Sequence, residues 1–104
     1  MAVEPDTETL RDKINLETGR VAWAELERHF ARGALVRVAG ELDLVEVAHR
    51  FAVDDKAAVQ AWMEEGAVAV AEAGDAQRWS AERPEFWAVV VAPWVLVQEI
   101  RGHG

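Results

Sequence analysis

Residues 42–66, LDLVEVAHRFAVDDKAAVQAWMEEG, carry the pattern of two short amphipathic helices joined by a tight turn. Asp43 can cap the first helix, with Glu46 three residues later in the capping-box position. Either Asp54 or Asp55 can cap the second helix, and a glycine ends it. Apolar residues recur at helical spacing in both segments, so this stretch predicts a helix-turn-helix at the centre of the fold.

Each helix of this pair is expected to bury one apolar stripe and to expose a polar face. The stripes are Leu44, Val45, Ala48 and Phe51 in the first helix and Ala58, Val59, Trp62 and Met63 in the second. Glu46 and Arg50 are spaced for an ion pair on the exposed face of the first helix. The exposed residues of the second helix are Asp55, Lys56, Gln60 and Glu64, with Glu65 nearby. That surface is acidic, which disfavours contact with the phosphates of DNA.

The segments on either side predict further helices and strands. Two helices are expected ahead of the pair, from Asp6 or Thr7 to Gly19 and over residues 23–32. The remaining elements are strands at 34–38 and 67–71, a short helix at 75–81, and one kinked strand or two over 86–92 and 94–100. The kink is expected at Pro93, because proline cannot donate to a strand ladder.

From residue 23 the order of these elements is that of a winged helix, in which a small sheet backs a helix-turn-helix. We therefore predict an α+β fold: a small single domain over residues 1–104, with the helix-turn-helix packed on a short antiparallel sheet, winged-helix-like in outline. A chain of 104 residues is long enough to bury one core. Residues 1–5 and 101–104 are expected to be loose tails.

The composition restricts the possible partners and compartments. The chain has 19 acidic and 11 basic residues, for a net charge of −8, and it has no cysteine. An acidic chain makes nucleic acid an unlikely partner, and the absence of cysteine excludes disulfides and thiol chemistry. The N-terminus lacks the pattern of a signal peptide, and the longest uncharged run, Phe86–Gln98, is too short for a membrane helix. We expect a cytoplasmic protein with no membrane contact.

Four stretches of the chain carry a family resemblance: WAELERHFARG at 23–33, LDLVEVA at 42–48, DDKAAVQAWMEEG at 54–66 and PWVLVQ at 93–98. Together they resemble a family of small bacterial proteins known only as a domain of unknown function, number 2288. The resemblance spans residues 10–99 and implies a bacterial, cytoplasmic protein made of one domain. It implies no activity, no cofactor and no catalytic residue.

Arginines are concentrated between residues 20 and 37, where four of them outnumber two glutamates. Arg28 and Arg32 lie one helical turn apart and could hold a phosphate or a partner's carboxylates. The alternative is that each arginine pairs with an acid of its own chain.

The histidines do not indicate a catalytic or metal site. His29 lies one turn from Glu25, and His49 lies three residues from Glu46, but neither pair has a third ligand nearby in the sequence. Both histidines are expected on solvent-exposed helix faces. We predict no catalytic residue, no metal and no cofactor.

Five tryptophans and no tyrosine form an unusual aromatic content. Trp23 and Trp62 lie on apolar helix faces, which predicts that they belong to the core. Trp87 and Trp94 lie in the C-terminal strand region, where alternation turns some side chains outward. An exposed strand edge with aromatic residues is a plausible contact surface for a partner or a second copy.

These patterns predict a protein-interaction or regulatory module without catalytic activity. Its predicted contact surface comprises Arg28, Arg32, Trp87, Pro93, Trp94 and Gln98. The partner would be another protein or a second copy of the chain, and no small molecule is indicated. The alternative is a DNA-binding winged-helix regulator, which the net charge and the acidic second helix disfavour; an enzyme ranks third.

Overall fold

The computed structural model describes residues 7–100, with side chains from Leu10 onward, as an α+β fold of five helices and five strands. The helices are α1 Thr7–Glu17, α2 Trp23–Ala31, α3 Leu44–Ala52, α4 Lys56–Glu65 and α5 Ala73–Glu82. The strands are β1 Gly19–Ala22, β2 Leu35–Val38, β3 Val68–Val70, β4 Glu85–Val91 and β5 Trp94–Glu99. The α+β class and the helix pair α3–α4 are confirmed, whereas the predicted tails fall outside the described residues. Every described helix is too short or too polar to cross a bilayer.

The five strands form one mixed sheet in the order β1-β4-β5-β2-β3. Three of its four pairings are antiparallel, including the β4–β5 hairpin that turns at Ala92 and Pro93. The fourth pairing, between β2 and β5, is parallel, which corrects the expectation of a purely antiparallel sheet. The winged-helix outline is not confirmed, because β5 inserts at the centre of the sheet.

Helices cover both faces of the sheet, and each face has its own apolar cluster. The first cluster joins α1 and α3, with α4 at its margin, to the sheet through residues such as Ile14, Val47, Val36 and Leu96. The second joins α2 and α5 to the other face through residues such as Trp23, Trp79, Leu35 and Val95. The central strand β5 supplies side chains to both clusters, because its residues alternate between the faces.

An aromatic cluster fills the second face. The ring of Trp79 lies 5.4 Å from that of Trp23 and 5.1 Å from that of Phe86, measured between centroids. Both indole N–H groups are satisfied: Trp23 donates to Ser80 and Trp79 donates to Glu99, each over 3.0 Å. The prediction that Trp23 belongs to the core is confirmed.

Helix caps and ion pairs fix the orientation of α3 and α4. Asp43 accepts hydrogen bonds from backbone N–H groups of the first turn of α3, as predicted. Glu46 does not complete a capping box, because its carboxylate binds Arg11 of α1 and, over 2.7 Å, Arg50. Asp55 caps α4 and also accepts a hydrogen bond from Arg50 over 3.0 Å. These contacts connect α1, α3 and α4 in one network.

Two predictions about helix extent and burial are wrong. The first helix ends at Glu17 rather than Gly19, and Gly19 opens the short strand β1, which the sequence pattern does not indicate. In α3 the buried face contains Val47 and His49, whereas Val45 and Phe51 are only half-buried. The buried face differs because α3 packs against α1 as well as against the sheet.

The central position of β5 predicts a large cost for truncating its core residue. Leu96 is fully buried, so Leu96→Ala should lower the free energy of unfolding by about 2–5 kcal/mol. Val90→Ala on the neighbouring strand is the control, because Val90 is 62% exposed and should change stability by about 0.5 kcal/mol or less. Urea unfolding of both variants measures the difference, and equal costs would contradict a core centred on β5.

Candidate interaction groove

Helix α4 covers its part of the sheet incompletely, and none of its residues is fully buried. Of the four residues predicted to face inward, Ala58, Val59 and Trp62 are half-buried, whereas Met63 is 44% exposed. A groove of about 640 Å³ remains between α4, β3 and the turn of the β4–β5 hairpin. We call it the α4–β3 groove; its apolar lining includes Val59, Met63, Val70, Val91, Pro93 and Trp94.

The groove borders a strand that pairs with another strand on one side only among the described residues. Strand β3 lies at the end of the sheet and pairs only with β2. Backbone bonds join Ala39 to Ala67 and Ala71 to Leu35, so by alternation Ala69 also bonds toward β2. The N–H and C=O groups of the intervening residues, Val68 and Val70, therefore point away from β2. Val68 is fully buried, so of these two residues only Val70, which is 36% exposed, lies at an accessible edge. The segment from Ala67 to Ala71 contains no charge and no proline that would protect this edge.

The segment that forms much of the groove is acidic, whereas the residues that line the groove are not. Residues 54–72, which form its turn, helix and edge strand, include five acids and a single base, Lys56. Arg50 also lines the groove, but its guanidinium is paired with Glu46 and Asp55. Asp54, Glu64 and Glu65 are exposed. Of the charged residues that line the groove itself, two are basic, Arg50 and Lys56, and two are acidic, Asp54 and Asp55, so the lining carries no net charge.

The six residues of the predicted contact surface lie in three places. Pro93 and Trp94 line the α4–β3 groove. Trp87 and Gln98 face each other across β4 and β5 at the far end of the hairpin, where Gln98 donates to the carbonyls of Ala39 and Leu42. Arg28 lies in α2 and Arg32 directly follows it, and α2 packs on the opposite face of the sheet. Of the six predicted residues, only Pro93 and Trp94 therefore lie at the groove.

Sequence reasoning missed three groove residues, Val59, Met63 and Val70. The first two fit a buried helical stripe, and nothing in the local pattern shows that α4 stands partly off the sheet. The uncharged run around Val70 was the available signal, because edge strands of monomeric proteins usually carry a charge or a proline. The sequence does not show that β3 is at an edge.

The arginines of residues 20–37 divide into two groups. Arg37 pairs with Asp75 over 3.1 Å, and Arg20 approaches Glu85 at 3.9 Å, so both have acids of their own chain. Within residues 10–100, Arg28 and Arg32 form no ion pair, and Arg32 donates to the ring of His29 instead. Binding of an anion by this second pair stays a prediction.

His49 is buried, which corrects the expectation of an exposed histidine. Its side chain is 3% exposed, and neither ring nitrogen has a hydrogen-bond partner among the described residues. Burial lowers the pKa of His49, and the nearby charges of Arg11 and Arg50 lower it further. His29 is half-buried, and desolvation and then Arg32 lower its pKa as well. No group of acidic, histidine or cysteine side chains within the described residues could hold a metal ion.

A second, smaller cavity of about 170 Å³ lies on the opposite face of the sheet. Its polar lining consists mainly of Arg37, Arg78 and Glu99, beside the ring of Trp79. The two arginines are already paired, Arg37 with Asp75 and Arg78 with Glu99 over 2.6 Å. The charges of this cavity therefore contribute to packing of α5 on the sheet.

Comparison with known proteins covers almost the whole chain. Residues 9–99 match the sequence model of a family described as protein of unknown function, DUF2288. The fold is similar to the NMR solution structure of PA1075 from Pseudomonas aeruginosa, with a TM-score of 0.80 and 43% sequence identity over 98% of this chain and 94% of that chain. No curated protein matches the chain significantly. All residues of the α4–β3 groove lie within the matched region.

The pairing and burial of β3 predict that one amide of this segment exchanges faster than its neighbours. Ala69 and Ala71 donate toward β2 and Val68 is fully buried, so these three amides should exchange slowly, whereas Val70 points away from β2 on an exposed residue and should exchange fast. Exchange measured by NMR on the isolated chain checks this pattern. Slow exchange at all four residues would mean that the edge is already covered.

The burial of His49 predicts that stability falls as the solution becomes acidic. Because its pKa is lower in the folded state, the unfolded chain takes up the proton first, and the free energy of unfolding decreases as pH falls below about 6.5. Unfolding measured between about pH 7.5 and 5.5 should show a shallower decrease in His49→Leu. The control His29→Gln should keep most of the slope, because His29 is half-buried. Equal slopes in His49→Leu and the parent chain would contradict the assignment.

Proposed function

We propose that the chain, which belongs to the DUF2288 family of proteins of unknown function, is a protein-interaction module that binds its partner in the α4–β3 groove. The observation that supports this most strongly is the incomplete burial of α4, which leaves Met63 and Val70 exposed beside an open strand edge. Apolar residues exposed side by side, unlike apolar residues scattered singly, are the kind of surface at which proteins bind partners. The backbone N–H and C=O groups of Val70, which point away from β2, lie next to that surface.

A binding role agrees with the chemistry of the groove. Its lining contains no histidine, and the carboxylate of Asp55 caps α4 and pairs with Arg50. Its volume of about 640 Å³ falls in the range of about 300–1,000 Å³ that ligand pockets occupy. We therefore propose that the groove recognises apolar groups and carries out no reaction on them.

The compartment we propose is the bacterial cytoplasm. The related structure comes from Pseudomonas aeruginosa, and the sequence is acidic and free of cysteine. A cysteine-free chain needs no oxidising environment to fold.

DNA binding remains the alternative function. In favour of it, Arg28 and Arg32 form no ion pair within the described residues. Against it, the exposed face of α4 presents Glu64, whose carboxylate accepts a hydrogen bond from Gln60 over 3.3 Å. An amide engaged in this way is not available to read a base, and the neighbouring acids repel phosphate. The exposed apolar surface of the groove therefore favours protein binding over DNA binding.

Photo-cross-linking tests the proposed contact directly. Replacing Met63 by the photoreactive residue benzoylphenylalanine in the full chain should give discrete adducts heavier than 11.5 kDa on irradiation of cells. The same replacement at Leu16 is the control, because Leu16 is 84% exposed on α1 and lies outside the groove. Adducts at neither position, or equally at both, would contradict a partner seated in the groove.

A further inference from the structure

We infer that α1 is a pH-sensitive cover of the domain: protonation of His49 releases α1 from α3 and exposes the apolar residues beneath it, while the sheet stays folded. The release is independent of the proposed function and does not require an occupied groove. It follows from where His49 lies, from which charges surround it and from how α1 is attached.

His49 lies on the buried side of α3 without a partner for either ring nitrogen. Its side chain is 3% exposed, and no described residue forms a hydrogen bond with the ring. Of the elements that pack on α3, α1 has the most extensive contact. An imidazolium in this position would be a buried charge with no acceptor among the described residues, which is strongly unfavourable. The closed position of α1 therefore requires a neutral ring.

The charges nearest to His49 make protonation still less favourable. Arg11 of α1 and Arg50 of α3 both act on the ring, and both are positive. The carboxylate one turn before His49, that of Glu46, is already bonded to both arginines. A protonated His49 would thus be a third cation beside a single acid, at the contact between α1 and α3.

The other elements that pack on α3 bring no acid that could balance the proton. Strands β4 and β5 carry charge only at their ends, at Glu85 and Glu99, and each of these approaches an arginine of another element. Asp55, the cap of α4, is bonded to Arg50. The remaining charged side chains described in α1, α4 and the turn before α4 are exposed: Asp12, Lys13, Glu17, Asp54, Lys56, Glu64 and Glu65.

α1 is attached to the rest of the domain by few buried contacts. It forms no part of the sheet, and among its described side chains only Ile14 is buried, whereas Leu16 is 84% exposed. Segments with few buried apolar contacts open locally while the remainder of a domain stays folded. Opening of α1 brings His49 into water and uncovers part of the apolar cluster that Ile14 shares with Val47.

The direction of the pH effect follows from the two states of His49. In the closed state burial, and then the charges of Arg11 and Arg50, lower its pKa; in the open state the ring meets water and its pKa returns to about 6.5. The open state therefore binds the proton first, and a fall in pH favours opening. Between about pH 7.5 and 5.5 the ratio of open to closed α1 should rise by up to about tenfold.

Hydrogen exchange of single amides in the full chain measures this opening. The amide of Ile14 reports on α1, and the amide of Leu96 reports on the centre of the sheet. After correction for the intrinsic exchange rate, Ile14 should be at least about tenfold less protected than Leu96 at every pH, because α1 opens by itself. Protection at Ile14 should fall by up to about tenfold from about pH 7.5 to 5.5.

Two matched variants identify the group that titrates. His49→Leu removes the buried ring and should abolish the pH dependence at Ile14, whereas His29→Gln, on the opposite face of the sheet, should keep it. The dye anilinonaphthalene sulfonate should bind more strongly at about pH 5.5 than at 7.5 to the parent chain and to His29→Gln, but not to His49→Leu. In the parent chain, the NMR signals of the His49 ring should change over the same pH range as protection at Ile14, and this comparison needs no variant.

Three results would overturn the inference. Equal protection at Ile14 and Leu96 at every pH would mean that α1 opens only when the whole domain unfolds. Constant protection at Ile14 between about pH 7.5 and 5.5 would exclude a pH-sensitive cover. The same fall in His49→Leu as in the parent chain would exclude His49 as the group that releases α1.

Discussion

The pairing of β5 with β2 is the constraint on which the rest of the fold depends. β5 lies between β4 and β2, and its residues Val95, Leu96 and Val97 are buried by helices on both faces. The parallel pairing joins the β4–β5 hairpin to β2, so the five-stranded sheet is complete only when both have formed. With one edge of β2 occupied by β5, β3 takes the other edge and becomes the border of the sheet. The open edge next to the groove is therefore a consequence of the central pairing.

Ion pairs connect α1, α3 and α4, which lie on one face of the sheet, and they position the wall of the groove. Arg50 bonds to both Glu46 of its own helix and Asp55, the cap of α4, and Glu46 also binds Arg11 of α1. The first turn of α4 is thus held by charges, whereas the rest of the helix contributes only half-buried side chains to the core. A helix fixed at one end and loosely packed along its length leaves the space that forms the α4–β3 groove.

Local signals in the sequence predicted most of the helices and strands, but they could not predict pairing between distant segments. Capping aspartates, Gly66 and Pro93 act within a few residues, so the helices α3 and α4 and the final hairpin were predictable from their own segments. Strand β1 was missed because its four residues owe their conformation to pairing with β4. β2 ends at residue 38 and β5 begins at residue 94, so their parallel pairing joins segments about half a chain apart, and no local pattern encodes it. His49 was misplaced for a similar reason: α1 covers a helix face that is polar in sequence. Of the predicted contact residues, Pro93 and Trp94 lie in the groove. The hairpin turn that places them is set by adjacent residues and could be predicted, whereas the exposure of Met63 depends on how α4 packs against the sheet.

The central claim is that this domain works by holding a partner in the groove at its open edge. The most direct test is the apparent mass of the chain in native extracts of its own cells, measured by gel filtration for the parent chain, Met63→Glu and Leu16→Glu. The account predicts that the parent and Leu16→Glu elute in complexes well above 11.5 kDa, whereas Met63→Glu, folded but with a charge in the groove, elutes as the free chain. Elution of all three at the same position would contradict it.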